Sequence, residues 1–157
     1  MTNALIYDGV RSARARAKEG GGLNGITPHE LLAQLYNALC ERTGLDPRCV
    51  DDVLLGCVTQ HGEQAGNIAK ASTLYAGWPA QVPGLTVNRY CSSGVDALAI
   101  AALKIQGGVA RQVLAGGVEM MSRVPMLAHE TRVIEGASSV PRFRVHLMGS
   151  GVDSIAS

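Results

Sequence analysis

Leu85-Thr86-Val87-Asn88-Arg89-Tyr90-Cys91-Ser92-Ser93-Gly94 runs directly into Val95-Asp96-Ala97-Leu98-Ala99-Ile100-Ala101-Ala102-Leu103-Lys104-Ile105-Gln106. Leu85 to Asn88 reads as a strand and Val95 to about Gln106 as a helix, with one sharp turn between them. A strand that turns straight into a helix sets the turn at the carboxyl edge of a parallel sheet, where open α/β folds hold their ligands. The helix is apolar around nearly its whole circumference, through Val95, Ala97, Leu98, Ala99, Ile100, Ala101, Ala102, Leu103 and Ile105. A helix of that kind is buried on all sides and needs a layer above and below it. Four short strands make one sheet, so the second layer is expected from further sequence or from another subunit.

The elements on either side fit the same architecture. Val53 to Thr59 is apolar on both alternating faces, the mark of an internal parallel strand covered by helices. Ala4 to Tyr7 and Gln112 to Gly116 read as two further strands. The helix after the first strand is announced by Thr27 as N-cap, Pro28 at the first helical position and Glu30 reaching back in a capping box. Leu31, Leu32, Leu35 and Leu39 recur at helical spacing, and Gly44 supplies a left-handed stop. Asn67 to Ala76 gives another helix, ended by Gly77. The order β-α-β-α-β-α-β predicts an α/β fold with right-handed crossovers and a parallel sheet. From Ser122 to Gly151 the pattern loses periodicity and reads as loop.

Composition limits the function classes. The 157 residues are 46% hydrophobic and 17% charged, a soluble globular composition that allows about one domain. Fourteen Lys and Arg against thirteen Asp and Glu leave a formal charge of +1, which gives no basic field for nucleic acid or an anionic membrane surface. The run from Ala97 to Leu103 is far shorter than the roughly 20 residues that span a bilayer. The opening residues lack the basic start and apolar core of a secretory signal, so a cytoplasmic protein is expected. In that compartment Cys40, Cys49, Cys57 and Cys91 are thiols rather than disulfides. They form no Cys-x-x-Cys pair and have no His at zinc-ligand spacing, so no metal site is expected.

Cys91 is the candidate nucleophile. Unpaired N–H groups and the positive end of the helix dipole stabilise a thiolate there, and the same amides can hold an oxyanion. Ser92, Ser93 and Gly94 keep the turn small enough for an acyl group to approach, as a nucleophile elbow does. Asp96, in the first turn of that helix, reads as an exposed acid that favours the helix and opposes a nearby thiolate. Cys40, Cys49 and Cys57 read as packing or surface residues. Gly20-Gly21-Gly22-Leu23-Asn24-Gly25 satisfies G-x-G-x-x-G beside Arg11, Arg14, Arg16 and Lys18, but it does not follow its strand at once and reads as a basic loop. His61 follows the second strand at the same sheet edge and would be the base of a cysteine hydrolase. Nothing ties His29, His129 or His146 to Cys91. Glu119-Met120-Met121-Ser122 follows the last strand as turn residues beside a pocket.

Val87-Asn88-Arg89-Tyr90-Cys91-Ser92-Ser93-Gly94 resembles the nucleophile segment of the thiolases, the acyl-CoA C-acyltransferases, with Tyr90 where Phe is usual. Asp8-Gly9-Val10-Arg11-Ser12, Gly56-Cys57-Val58-Thr59-Gln60-His61-Gly62-Glu63-Gln64 and Ala115-Gly116-Gly117-Val118-Glu119-Met120-Met121-Ser122-Arg123-Val124-Pro125-Met126 resemble three further thiolase segments in the same order. The resemblance implies a layered α/β/α/β/α fold. This chain would supply the N-terminal half-domain, residues 1–121, and the start of the loop domain, residues 122–157. It implies a ping-pong reaction in which Cys91 accepts an acyl group from acyl-CoA and passes it to CoA or to an acetyl-CoA carbanion. Coenzyme A and acyl-CoA enter as substrates, with no permanently bound cofactor. It also implies a homodimer or tetramer, or a partner chain that brings the C-terminal half. The family's Gly-His-Pro histidine and late cysteine match nothing in this sequence, so the polypeptide by itself is expected to be inactive. The alternative reading is a subunit of a split or non-catalytic assembly.

Overall fold

The computed structural model describes residues 3–126, together with Ala128 and Val152. The expected loop domain, with His129 and His146, therefore lies almost entirely outside the described residues. Three strands, β1 (Asp52–Gly56), β2 (Gly84–Val87) and β3 (Val113–Gly117), form a parallel sheet in the order β2-β1-β3. Val53 aligns with Gly84 on one side and with Leu114 on the other, which makes β1 the central strand. All of its residues are buried, as its two-faced apolar pattern requires.

Among the described residues three helices flank the sheet: α1 (Pro28–Thr43), α2 (Ile68–Tyr75) and α3 (Ser93–Gln106). In α1 Thr27 caps the Glu30 N–H at 3.1 Å, and Gly44 closes the helix at φ 69° with its N–H on Cys40 O. The return bond expected from the Glu30 side chain is not formed among the described residues. On the α1 and α2 side, Leu32, Tyr36, Val53, Leu55, Cys57, Ile68 and Trp78 make one core, within which Tyr36 bonds Ser72 at 2.8 Å. On the other side the core is thinner: Leu54 meets Ala97 and Ala101, whose small side chains seat α3 close to the sheet.

Two expectations change. Ala4 to Tyr7 is not a strand: the segment joins no ladder, and Leu5, Ile6 and Tyr7 are 67%, 79% and 91% exposed. Four residues of strand-forming composition become a strand only where a sheet edge takes up their N–H and C=O groups, and here none does. In α3 the described residues cover only the face towards the sheet. Ala97 and Ala101 face the sheet, whereas Val95, Leu98 and Leu103 stand in solvent. The layer that its sequence calls for is absent from the described residues. The strand from Val53 is also shorter than expected, because Val58 and Thr59 give their N–H groups to the Glu119 carboxylate instead of to a neighbouring strand.

Candidate active site

The central strand and its two neighbours all point their carboxyl ends at one edge, and the turn from β2 into α3 lies there. Backbone packing fixes its position. A Cβ built on Gly56, the last residue of β1, would lie 2.4 Å from the Ser93 carbonyl carbon and 2.5 Å from the Gly94 nitrogen. The first turn of α3 therefore rests on bare β1 backbone, which only glycine allows.

Cys91 sits in this turn, exposed, one residue before the helix N-cap. Ser92, the N-cap, has φ −94° and ψ 1°, and its side chain caps no N–H. Ser93 N bonds Tyr90 O and Asp96 N bonds Ser92 O, but the N–H groups of Cys91 and Val95 meet no acceptor among the described residues. The expected open helix terminus is thus present beside the sulfur. Asp96 is half-buried rather than exposed, and its carboxylate pairs with the Arg89 guanidinium, which offsets its charge near Cys91.

The remaining thiols differ from Cys91. Cys57 is buried, and that burial, with the Glu119 charge as a smaller cause, pushes its pKa up to about 12. Burial, with Asp46 beside it, also raises Cys40. Cys49 is exposed in a short 3-10 turn on the far side of β1 from the site. His61 is exposed and forms only backbone bonds, its N–H to Thr59 O and its carbonyl from Gln64 N. No hydrogen bond joins it to Cys91, so the structure does not assemble a hydrolase dyad. Gly20 to Gly25 lies in turns before α1 and follows no strand, as its reading as a loop anticipated. Glu119 to Ser122 does line a cleft of about 550 Å³, together with Arg11, Arg14 and Arg16; Cys91 is not among its lining residues. No group of three or more His, Cys, Asp or Glu is placed to hold a metal among the described residues, and no helix there is long and apolar enough to cross a membrane.

A set of hydrogen bonds that the sequence does not announce ties the strand ends together. Gln64 is fully buried and fully used: its Nε2 donates to Thr59 O at 2.8 Å and Glu119 Oε1 at 3.0 Å, and its Oε1 accepts from Met120 N at 2.6 Å. The signal available was a Gln and a Glu, each following a strand at the same edge, but nothing in their spacing says that they meet.

Residues 5–152 match the family model described as the N-terminal domain of thiolase. The chain belongs to the thiolase family. It is 48% identical over 126 residues to a steroid 3-ketoacyl-CoA thiolase of Mycobacterium tuberculosis, covering 80% of this chain and 30% of that protein. It is 44% identical over 128 residues to the 3-oxoadipyl-CoA/3-oxo-5,6-dehydrosuberyl-CoA thiolase of Escherichia coli K12, covering 81% and 31%. The crystal structure of the Bacillus anthracis acetyl-CoA acetyltransferase superposes with a TM-score of 0.63 at 44% identity, over 68% of this thiolase chain and 27% of that one. The chain thus spans about a third of the length of the curated relatives it matches.

Proposed function

We propose that this thiolase chain carries the acyl-accepting half of an acyl-CoA C-acyltransferase, with Cys91 as the nucleophile. The observation that carries the reading is an exposed cysteine beside an uncapped helix terminus, at the carboxyl edge of a parallel sheet. The Cys91 sulfur attacks the thioester carbonyl of acyl-CoA and forms a new S–C bond. The developing oxyanion is held by backbone N–H groups, and the bond to the CoA sulfur breaks as CoA leaves as its thiolate. Sulfur suits both directions, being a good nucleophile and a good leaving group. The acyl group then passes to CoA, or to an acetyl-CoA carbanion in the condensing direction.

Removing a proton from carbon needs a second acid/base group, and no side chain of the described residues hydrogen-bonds Cys91 to fill that role. The bare face of α3, with Val95, Leu98 and Leu103 exposed, supports a second half that covers this helix, on the same polypeptide or a partner chain. A homodimer or tetramer is the assembly proposed for the whole enzyme, and residues 122–157 are read as the start of its loop domain. Four free thiols favour a reducing compartment, the cytoplasm.

Isotope exchange separates the two half-reactions. The 157-residue polypeptide is expected to exchange labelled CoA into acetyl-CoA slowly and to show negligible condensation or thiolysis. Robust turnover by this chain with no second polypeptide would overturn the reading. Co-purification of an inert chain with a partner and no exchange would favour a non-catalytic assembly.

A further inference from the structure

Tyr90 is the one non-glycine residue with positive φ among those described, at 49°, and it immediately precedes Cys91. A left-handed conformation is strained for an L-residue and persists only where its surroundings over-determine it. Here both polar groups of the Tyr90 backbone are tied down by side chains. Asn88 Oδ1 accepts from Tyr90 N at 2.9 Å. Tyr90 O accepts from Ser93 Oγ at 2.6 Å and from Ser93 N at 3.0 Å. The Ser93 hydroxyl, itself buried, also accepts from Arg89 N at 2.9 Å, so that one side chain closes the turn from both sides.

The other end of Asn88 is anchored. Its Nδ2 donates to Val58 O at 3.2 Å, while Val58 N is held by Glu119 Oε2 at 2.9 Å. The chain of contacts therefore runs from the end of β3 through the peptide after β1 to the residue before Cys91. The sulfur is referenced to two strands that carry no part of its own turn.

We infer that Asn88 and Ser93 are positioning residues for acyl transfer, holding Tyr90 in its left-handed conformation so that the Cys91 sulfur meets a bound thioester along a fixed path. This rests on the proposed acyl acceptor being Cys91. Displacing a reacting atom by a fraction of an ångström costs a bound, oriented reaction far more than it costs attack on a small reagent that approaches from any direction.

The test uses the protein as its natural source makes it, with any partner chain it carries, and two probes of Cys91: acetylation by acetyl-CoA, followed by intact mass, and alkylation by iodoacetamide across pH. Asn88→Ala, at an exposed side chain, and Ser93→Ala are each expected to slow acetylation on the order of tenfold. Alkylation should stay within about twofold with an unmoved pH profile. Tyr36→Phe, which removes a buried hydrogen bond far from the site, is the stability control and should leave both rates unchanged. Should Ser93→Ala not fold, Asn88→Ala decides the matter. Unchanged acetylation in Asn88→Ala, or an equal fall in both reactions, overturns the positioning role. Failure of the unsubstituted protein to acetylate at Cys91 overturns instead the functional reading beneath it.

Discussion

Two helices in this molecule begin at opposite extremes. At the start of α1, Thr27 is extended and its hydroxyl takes the Glu30 N–H, Pro28 contributes no N–H at all, and the terminus packs beside a buried core. At the start of α3, Ser92 is folded at ψ 1°, caps nothing, and leaves amides open next to an exposed sulfur. α2 follows the first pattern, with Asn67 capping Lys70 N at 3.2 Å. Ser92 is as good a capping residue by type as Thr27. What separates them is backbone conformation, and that is set by the turn through Tyr90. A helix terminus left open gives up about 1 kcal/mol of capping stability, and in exchange keeps its N–H groups free for another acceptor, which in the proposed reaction is the oxyanion that develops on the thioester carbonyl.

Substitutions that disturb one terminus and spare the other test this contrast. Gly56→Ala has the largest expected effect, because its Cβ must push Ser93 and Gly94 off β1. A loss of about 2–3 kcal/mol in urea unfolding is expected, with slower acetylation of Cys91 in the protein that remains folded. Alkali probes the sealed side. Burial raises Tyr36 from 10.0 to about 12, against a weaker lowering by its bond to Ser72. The folded state thus holds the phenolic proton after the unfolded chain has lost it. This contribution is whole below pH 10 and drains away as pH rises towards 12 and beyond, by about 3 kcal/mol in all. Urea midpoints measured from pH 8 to 11 should fall, and Tyr36→Phe should flatten that slope. Ser92→Asp would place a carboxylate at the open terminus. It is expected to slow acetylation at neutral pH about fivefold while stability rises by a few tenths of a kcal/mol. Thr27→Ala is the mirror experiment, costing about 1 kcal/mol of stability with acetylation unchanged.

Much of this was legible in the residues. Thr27, Pro28 and Gly44 marked both ends of α1, and the two-faced apolar run from Val53 marked the central strand, because those signals are local. The turn around Cys91 was legible for the same reason: strand, small residues and helix are contiguous. The first strand was misread since Ala4 to Tyr7 carries only local preference, and a strand exists by virtue of its neighbour. The Glu119, Gln64 and Asn88 ties were out of reach, since each joins residues 30 to 61 positions apart through a parallel register that no spacing encodes. The bare face of α3 lies between these cases. Its pattern demands a second layer, and the described residues do not supply one.

The most direct measurement is peptide mapping of the protein after brief incubation with acetyl-CoA and acid quenching. Cys91 and Cys49 are both exposed, so an indiscriminate reaction would label the two alike. The account requires a single acetyl thioester on Cys91, abolished by Cys91→Ala. An adduct that is absent, that sits on Cys49, or that survives this substitution would contradict it.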